Sequence, residues 1–143
     1  MSTINSSLKI LMNLAKAQAL TSRRFDRLSI HGIGFNDFMI LYLLRQAAGE
    51  RMRRIDLAEK IGLTASGVTR MLLPMEKMGL IKREASDRDA RVSYVALTPT
   101  GNRLFEEARV TANAVAREII TNEKAGNATA LSAMLTELGG NIA

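Results

Sequence analysis

The stretch that decides the fold is RIDLAEKIGLTASGVTRMLL, residues 54–73. Leu57, Ile61, Leu63, Val68 and Met71 are its main apolar positions, and Gly62 falls between two helical patterns. The first pattern predicts a helix over about residues 55–61, with the small Ala58 where a second helix must cross it. Gly62 allows the left-handed backbone that ends such a helix. Thr64 is placed to cap the helix that follows. Leu57, Ile61 and Val68 then meet in the angle between the two, as in a helix-turn-helix. A buried helical pair with no nucleic-acid role has the same pattern, so the flanking segments have to decide.

Downstream, GLIKREASDRDARVSYVALTPTG covers residues 79–101. Leu80 to Glu84 alternates apolar and basic residues, as a half-exposed strand does. ASDRDAR is a charged turn, and Val92, Tyr94, Ala96 and Leu97 give a second, less regular strand. Two antiparallel strands joined by a charged loop form a wing. Thr98 then caps a new helix with Pro99 at its first position, where the missing N–H costs nothing.

Upstream, a long helix is expected over about residues 4–30, with Ile4, Leu8, Leu11, Ala15 and Ala19 on one stripe. HGIG at 31–34 breaks it. Gly34 is a plausible N-cap, with Asp37 in the first turn, where a carboxylate suits the helix dipole. FMILYLL at 38–44 is apolar nearly all round and belongs at the centre of a core, with Gly49 as its stop. After the wing a helix is expected over about 99–120, with Leu104, Ala108, Val115 and Ile119 on one face. TNEKAGNAT at 121–129 breaks it, and a last helix over about 129–138 presents Leu131, Met134, Leu135 and Leu138.

These terminal stripes lie outside the compact winged unit and need burial elsewhere. Packing across a twofold axis buries all three; a monomer folding back on itself is the other solution. The expected class is mainly α with a small β wing (α+β). Residues 1–143 make one domain: a winged helix-turn-helix lobe at 35–97, and dimerisation helices at 1–30 and 98–143.

Composition narrows the function. The 143 residues carry no cysteine, which removes disulfides, thiolate metal sites and cysteine nucleophiles. The one histidine, His31, excludes a multi-histidine metal site within one chain and has no adjacent serine motif for a triad. HGIG follows a helix rather than a strand, so it is no phosphate loop. Neither a cofactor nor catalysis is expected. With no long apolar run and no leader pattern, the expected place is the cytoplasm. The net charge is +6: residues 1–44 hold five basic and two acidic residues, 45–91 eleven and seven, and 92–143 four and five. The basic excess thus lies in the first two thirds, where it attracts polyanions.

Residues 57–101, LAEKIGLTASGVTRMLLPMEKMGLIKREASDRDARVSYVALTPTG, resemble the winged-helix segment of the MarR family of bacterial transcriptional regulators. The features that match are the leucine–alanine helix start, VTR, MEKMGLIKR before the first strand and VALTPTG before the next helix. The surrounding helices match in number, order and approximate length, so the resemblance covers essentially the whole chain. It implies a homodimer with intertwined termini, two DNA-reading lobes and, in many members, a small-molecule pocket between lobe and dimerisation helices. Two positions depart from the family pattern. Ser86 stands where the wing often has an aspartate, and Asp87 and Asp89 flank Arg88, leaving open which acid orients which arginine. Pro74 sits inside the reading helix, where a proline costs about 3 kcal/mol; a slight kink is expected, compensated by packing of Leu72, Met75 and Met78.

On this reading the groove-facing helix starts at Thr64 and exposes Ser66, Thr69 and Arg70. The two hydroxyls suit base edges or phosphate, and Arg70 a phosphate or a guanine edge. Ala65 and Gly67 let the backbone come close. Arg88 and Arg91 on the wing suit a narrow minor groove, with Asp87 or Asp89 holding a guanidinium in position. Lys82 and Arg83 would meet phosphates; Arg51, Arg53 and Arg54 either do the same or stay hydrated. The expected partner is double-stranded DNA with a pseudo-palindromic site, bound by a homodimer that blocks polymerase or competes with activators. A winged helix used for protein contacts or RNA is the rival. A small-molecule pocket would draw on Phe35, Phe38, Tyr42 and Phe105, which are otherwise plain core; its ligand would be a phenolic or other lipophilic anion, if there is one.

Overall fold

The computed structural model describes residues 3–122 and 125–142. Helices α1 (Ser6–Arg24), α2 (Phe35–Gln46), α3 (Arg54–Ile61), α4 (Ala65–Lys77), α5 (Pro99–Ile119) and α6 (Ala128–Glu137) surround a small antiparallel sheet. Its strands β1 (Arg51–Arg53), β2 (Ile81–Ala85) and β3 (Ser93–Leu97) lie in the order β1-β3-β2. The fold is the expected one, mostly helical with a small sheet and a wing.

The helix expected over residues 4–30 divides in two. Asn5 caps α1 by accepting the Leu8 N–H at 2.7 Å, and the α-helix ends at Arg24. A 3-10 segment, Phe25–His31, follows. The tighter winding places residues three apart on one side, so Phe25 and Leu28 both enter the core. None of α1 is buried. Arg27 and Arg24 pair with Glu118 of α5 at 3.1 and 3.6 Å, and His31 Nε2 shares a 2.9 Å hydrogen bond with Thr111 Oγ1. The half-buried histidine therefore ties the 3-10 segment to α5.

Helix α2 is the centre of the core, with Ile40, Leu41 and Leu44 fully buried. Gly34 N–H donates to the Asp37 carboxylate at 2.9 Å, closing its N-terminus. Beyond α2 two consecutive residues, Gly49 (φ 69°) and Glu50 (φ 52°), take left-handed conformations and turn the chain into β1. This third strand is absent from the sequence reading: at three residues it is too short to alternate, and Met52 is its single apolar side chain. It pairs Arg51 with Ala96 and Arg53 with Tyr94.

The helix pair forms as expected. Gly62 is left-handed (φ 78°), Ala58 is buried, and Leu57 and Val68 are fully buried between α3 and α4, worth about 1.5–3 kcal/mol for each large side chain. Pro74 lies within α4, which continues to Lys77. Leu72 and Met75 pack inward on either side of it, but Met78 is 45% exposed and adds little to the expected compensation.

Thr98 joins the lobe to α5. Its hydroxyl donates to the Gly79 carbonyl at 2.6 Å and accepts the Gly101 N–H at 3.0 Å. Gly101 is buried against the Leu80 carbonyl with no room for a Cβ. The buried face of α5 is Gly101, Phe105, Ala108, Ala112 and Val115; Leu104 and Ile119 lie at its edges, half-buried. The break expected at 121–129 falls partly outside the described residues.

Candidate nucleic-acid interface

Thr64 caps α4 as its position predicts, accepting the Gly67 N–H at 3.0 Å. A Cβ at Gly67 would stand 3.1 Å from Thr64 Oγ1. The glycine therefore keeps the cap uncrowded, a structural reason for the small opening turn beside the expected one of close approach. Ser66 and Arg70, four residues apart, share an exposed stripe of α4. Thr69 is less free than expected. It is half-buried, donates to the Ala65 carbonyl at 2.9 Å and accepts from Arg54 Nη1 at 2.9 Å. Arg70 meets no acid among the described residues.

The wing is built around Ser86. Its hydroxyl accepts the N–H of Arg88 at 3.2 Å and of Asp89 at 3.4 Å, the local turn that an aspartate side chain also makes. Asp89 then accepts the Arg91 N–H at 3.0 Å, Arg91 Nε at 3.1 Å and Arg91 Nη2 at 3.3 Å. Those bonds hold the Asp89 carboxyl below the usual aspartate range. Arg88 remains exposed and, among the described residues, unpaired.

Lys82 and Arg83 are exposed but engaged. Lys82 meets Glu84 at 3.3 Å, while Arg83 reaches Glu76 of α4 at 3.1 Å. Arg51 also pairs with Glu84 at 3.3 Å and lies 4.5 Å above the Tyr94 ring. Hydrogen bonds from Lys82 and then Arg51 hold the Glu84 carboxyl below the usual range. Solvent-exposed ion pairs of this kind are weak and exchange readily for a phosphate. Ser66, Arg70 and Arg88 are open to a ligand; Thr64, Thr69, Lys82, Arg83 and Arg91 reach it only by sharing an existing contact.

A model of the MarR family matches residues 36–93, spanning α2, the helix pair and the wing. Over that segment the chain is similar to the MarR family of transcriptional regulators. YdgJ, an uncharacterized HTH-type transcriptional regulator of Bacillus subtilis, is 25% identical over 134 residues, which is 94% of this chain and 79% of YdgJ. A MarR mutant of Escherichia coli, crystallised with operator DNA, superposes with a TM-score of 0.83 at 21% identity, over 96% of this chain and 99% of that one. CouR of Rhodococcus jostii, crystallised with p-coumaroyl-CoA, gives 0.79 at 18% identity, over 90% of each chain. At these identities the two superpositions establish the fold.

The aromatic residues expected at a pocket fall into two groups. Phe38 stacks on Phe105 at 5.1 Å between centroids, with Tyr42 at 6.4 Å and the Arg45 guanidinium 5.3 Å above the Phe105 ring. Phe35 instead stacks on Phe25 at 4.0 Å. Phe105 is buried and the other three expected residues are half-buried. Arg45 pairs with Glu106, which also takes Arg109 at 2.9 Å. Hydrogen bonds from Arg109 and then Arg45 hold the Glu106 carboxyl below its usual range. The sequence reading left Arg51 and Arg54 between phosphate contact and hydration and did not name Arg45, because a lone arginine carries no periodic signal.

Proposed function

We propose that this chain is a homodimeric regulator that binds double-stranded DNA at a pseudo-palindromic operator and represses transcription by occupying it. The lobe at 35–97 reads the site, and the helices at 1–30 and 98–143 join the protomers. Helix α4 enters a major groove with Ser66 and Arg70 at the bases or phosphates, while Thr64 and Thr69 frame its start. The wing lays Arg88 in the adjoining minor groove, with Asp89 steadying Arg91 at its root. Lys82 and Arg83 exchange their acids for phosphates. The observation that carries this reading is the pair of exposed arginines without acid partners, Arg70 on α4 and Arg88 on the wing.

Dimerisation is supported by apolar side chains left in water: Leu8, Leu11 and Met12 on α1, Leu131 and Met134 on α6, and Leu138 at its end. A small-molecule effector, a phenolic or other lipophilic anion, releases the protein from its operator, a reading supported by the aromatic group Phe38, Tyr42 and Phe105 with Phe35 nearby. There Arg45 supplies the cation. The protein acts as a binder in the cytoplasm rather than as an enzyme. Selection of genomic fragments by the purified protein tests the proposal: recovery of duplexes sharing an inverted repeat supports it. Equal retention of duplex DNA, RNA and single strands, or of none, overturns it in favour of an RNA or protein-contact module.

A further inference from the structure

We propose that Arg54, with Arg53 and Arg91 beside it, forms a separate seat for one backbone phosphate of the duplex. The inference rests on the DNA-binding reading above and adds a site at the start of α3. A cavity of about 230 Å³ opens among Arg53 and Arg54 at the head of α3, Ala65 at the head of α4, and Arg91 and Ser93 at the root of the wing. A major groove and the minor groove next to it are separated by a single sugar–phosphate strand. A helix in one and a wing in the other must straddle that strand. The notch between Ala65 and Arg91 therefore faces a phosphate rather than a base.

The chemistry of the notch agrees. Arg54 Nη1 donates to Thr69 Oγ1 at 2.9 Å, and the Thr69 hydroxyl spends its own proton on the Ala65 carbonyl at 2.9 Å. The lone pair is thereby aimed at the guanidinium. An arginine held by a neutral hydroxyl is fixed in place yet keeps its whole charge and four further N–H donors. The neighbouring cations differ: Arg51 and Lys82 face Glu84, Arg83 faces Glu76 and Arg91 faces Asp89. Neither Arg53 nor Arg54 meets an acid among the described residues, and Asp56, two residues along α3, forms no ion pair there. Thr69 is accordingly a positioning residue for Arg54, which explains why its hydroxyl is turned away from free solvent.

The test is a salt titration of binding to a mixed-sequence DNA duplex several helical turns long, read by fluorescence anisotropy. Arg54→Gln keeps a donor for Thr69 and removes only the charge. Its log–log salt slope falls by about one per protomer and its affinity roughly three- to tenfold. Arg117→Gln, on the far part of α5, keeps the wild-type slope. Thr69→Val loses part of the Arg54 contribution and Thr69→Ser restores it. A slope for Arg54→Gln equal to that of Arg117→Gln overturns the phosphate seat while leaving DNA binding intact. A wild-type protein that ignores the duplex in dilute salt overturns both readings together.

Discussion

Asp89 grips Arg91 through Nε and Nη2 at 3.1 and 3.3 Å, while the guanidinium of Arg88, one residue before that acid, meets no partner among the described residues. The wing thus holds one braced arginine at its root and one free arginine at its tip. Arg88→Ala is expected to weaken operator binding at least about tenfold, as loss of one well-placed charged contact does. Asp89→Ala frees Arg91 and is expected to cost less, because the cation survives. Electrophoretic mobility shifts on the selected operator measure both; equal losses would mean that wing shape matters and the Arg88 charge does not.

Arg70→Ala removes the exposed cation of α4. It should leave the dimer folded and reduce operator affinity at least about tenfold, with discrimination between operator and mixed sequence falling if the contact is to a base. An unchanged ratio of the two affinities assigns Arg70 to a phosphate; unchanged affinities for both remove it from the interface.

The helix pair was readable because several position types had to agree: Ala58 small, Gly62 left-handed, Thr64 capping, Leu57 and Val68 apolar. The wing was readable from its alternation. Strand β1 was not, since Arg51-Met52-Arg53 has one apolar residue and pairs only because Gly49 and Glu50 turn it onto β3. The split of the first helix was equally hidden, because Phe25 and Leu28 fit an α-helical stripe as well as a 3-10 one. At the interface, sequence named the cations but not their partners. Asp87 and Asp89 were both open as the acid of the wing, and Asp89 for Arg91 is a local choice two residues along the chain; Glu84 for Arg51 and Thr69 for Arg54 are tertiary choices, made by where β1 meets the sheet and where the two helices cross.

Gly101→Ala should be among the most damaging single changes. The added Cβ meets the Leu80 carbonyl and stands 2.9 Å from Leu97 Cδ1. That carbonyl also receives the Thr98 N–H at 3.1 Å, so it has little freedom to retreat. Overpacking against backbone predicts a loss of about 1–3 kcal/mol or more. Urea unfolding checks it; a midpoint equal to wild type would show that α5 can lift from the sheet without cost.

Glu106→Gln probes the brace between α2 and α5. Arg109 and Arg45 hold the native carboxyl below its ordinary value of 4.5. Between the native and unfolded values the unfolded chain binds more protons, so stability rises with pH. The contribution is fully present above the unfolded value and is lost as pH falls through the native one. Wild type should therefore exceed Glu106→Gln in urea midpoint at neutral pH, with the gap closing as the medium is acidified below about pH 4.5. A gap that widens in acid would contradict the assignment.

Leu11→Asp tests the twofold arrangement. Leu11 is 49% exposed on α1, beside Leu8 and Met12, and α1 buries no residue within its own chain. A charge there costs nothing in a monomer but must be desolvated where two copies of the helix meet. Light scattering should find the wild type dimeric and the variant monomeric or strongly dissociating, with the wing and helix pair still folded by circular dichroism. Because a dimer presents its second lobe at high effective concentration, operator affinity should fall by about a hundredfold or more, while the affinity of each lobe for a half-site stays the same. A variant that remains dimeric would place the subunit contact on another surface and leave the apolar face of α1 without its partner.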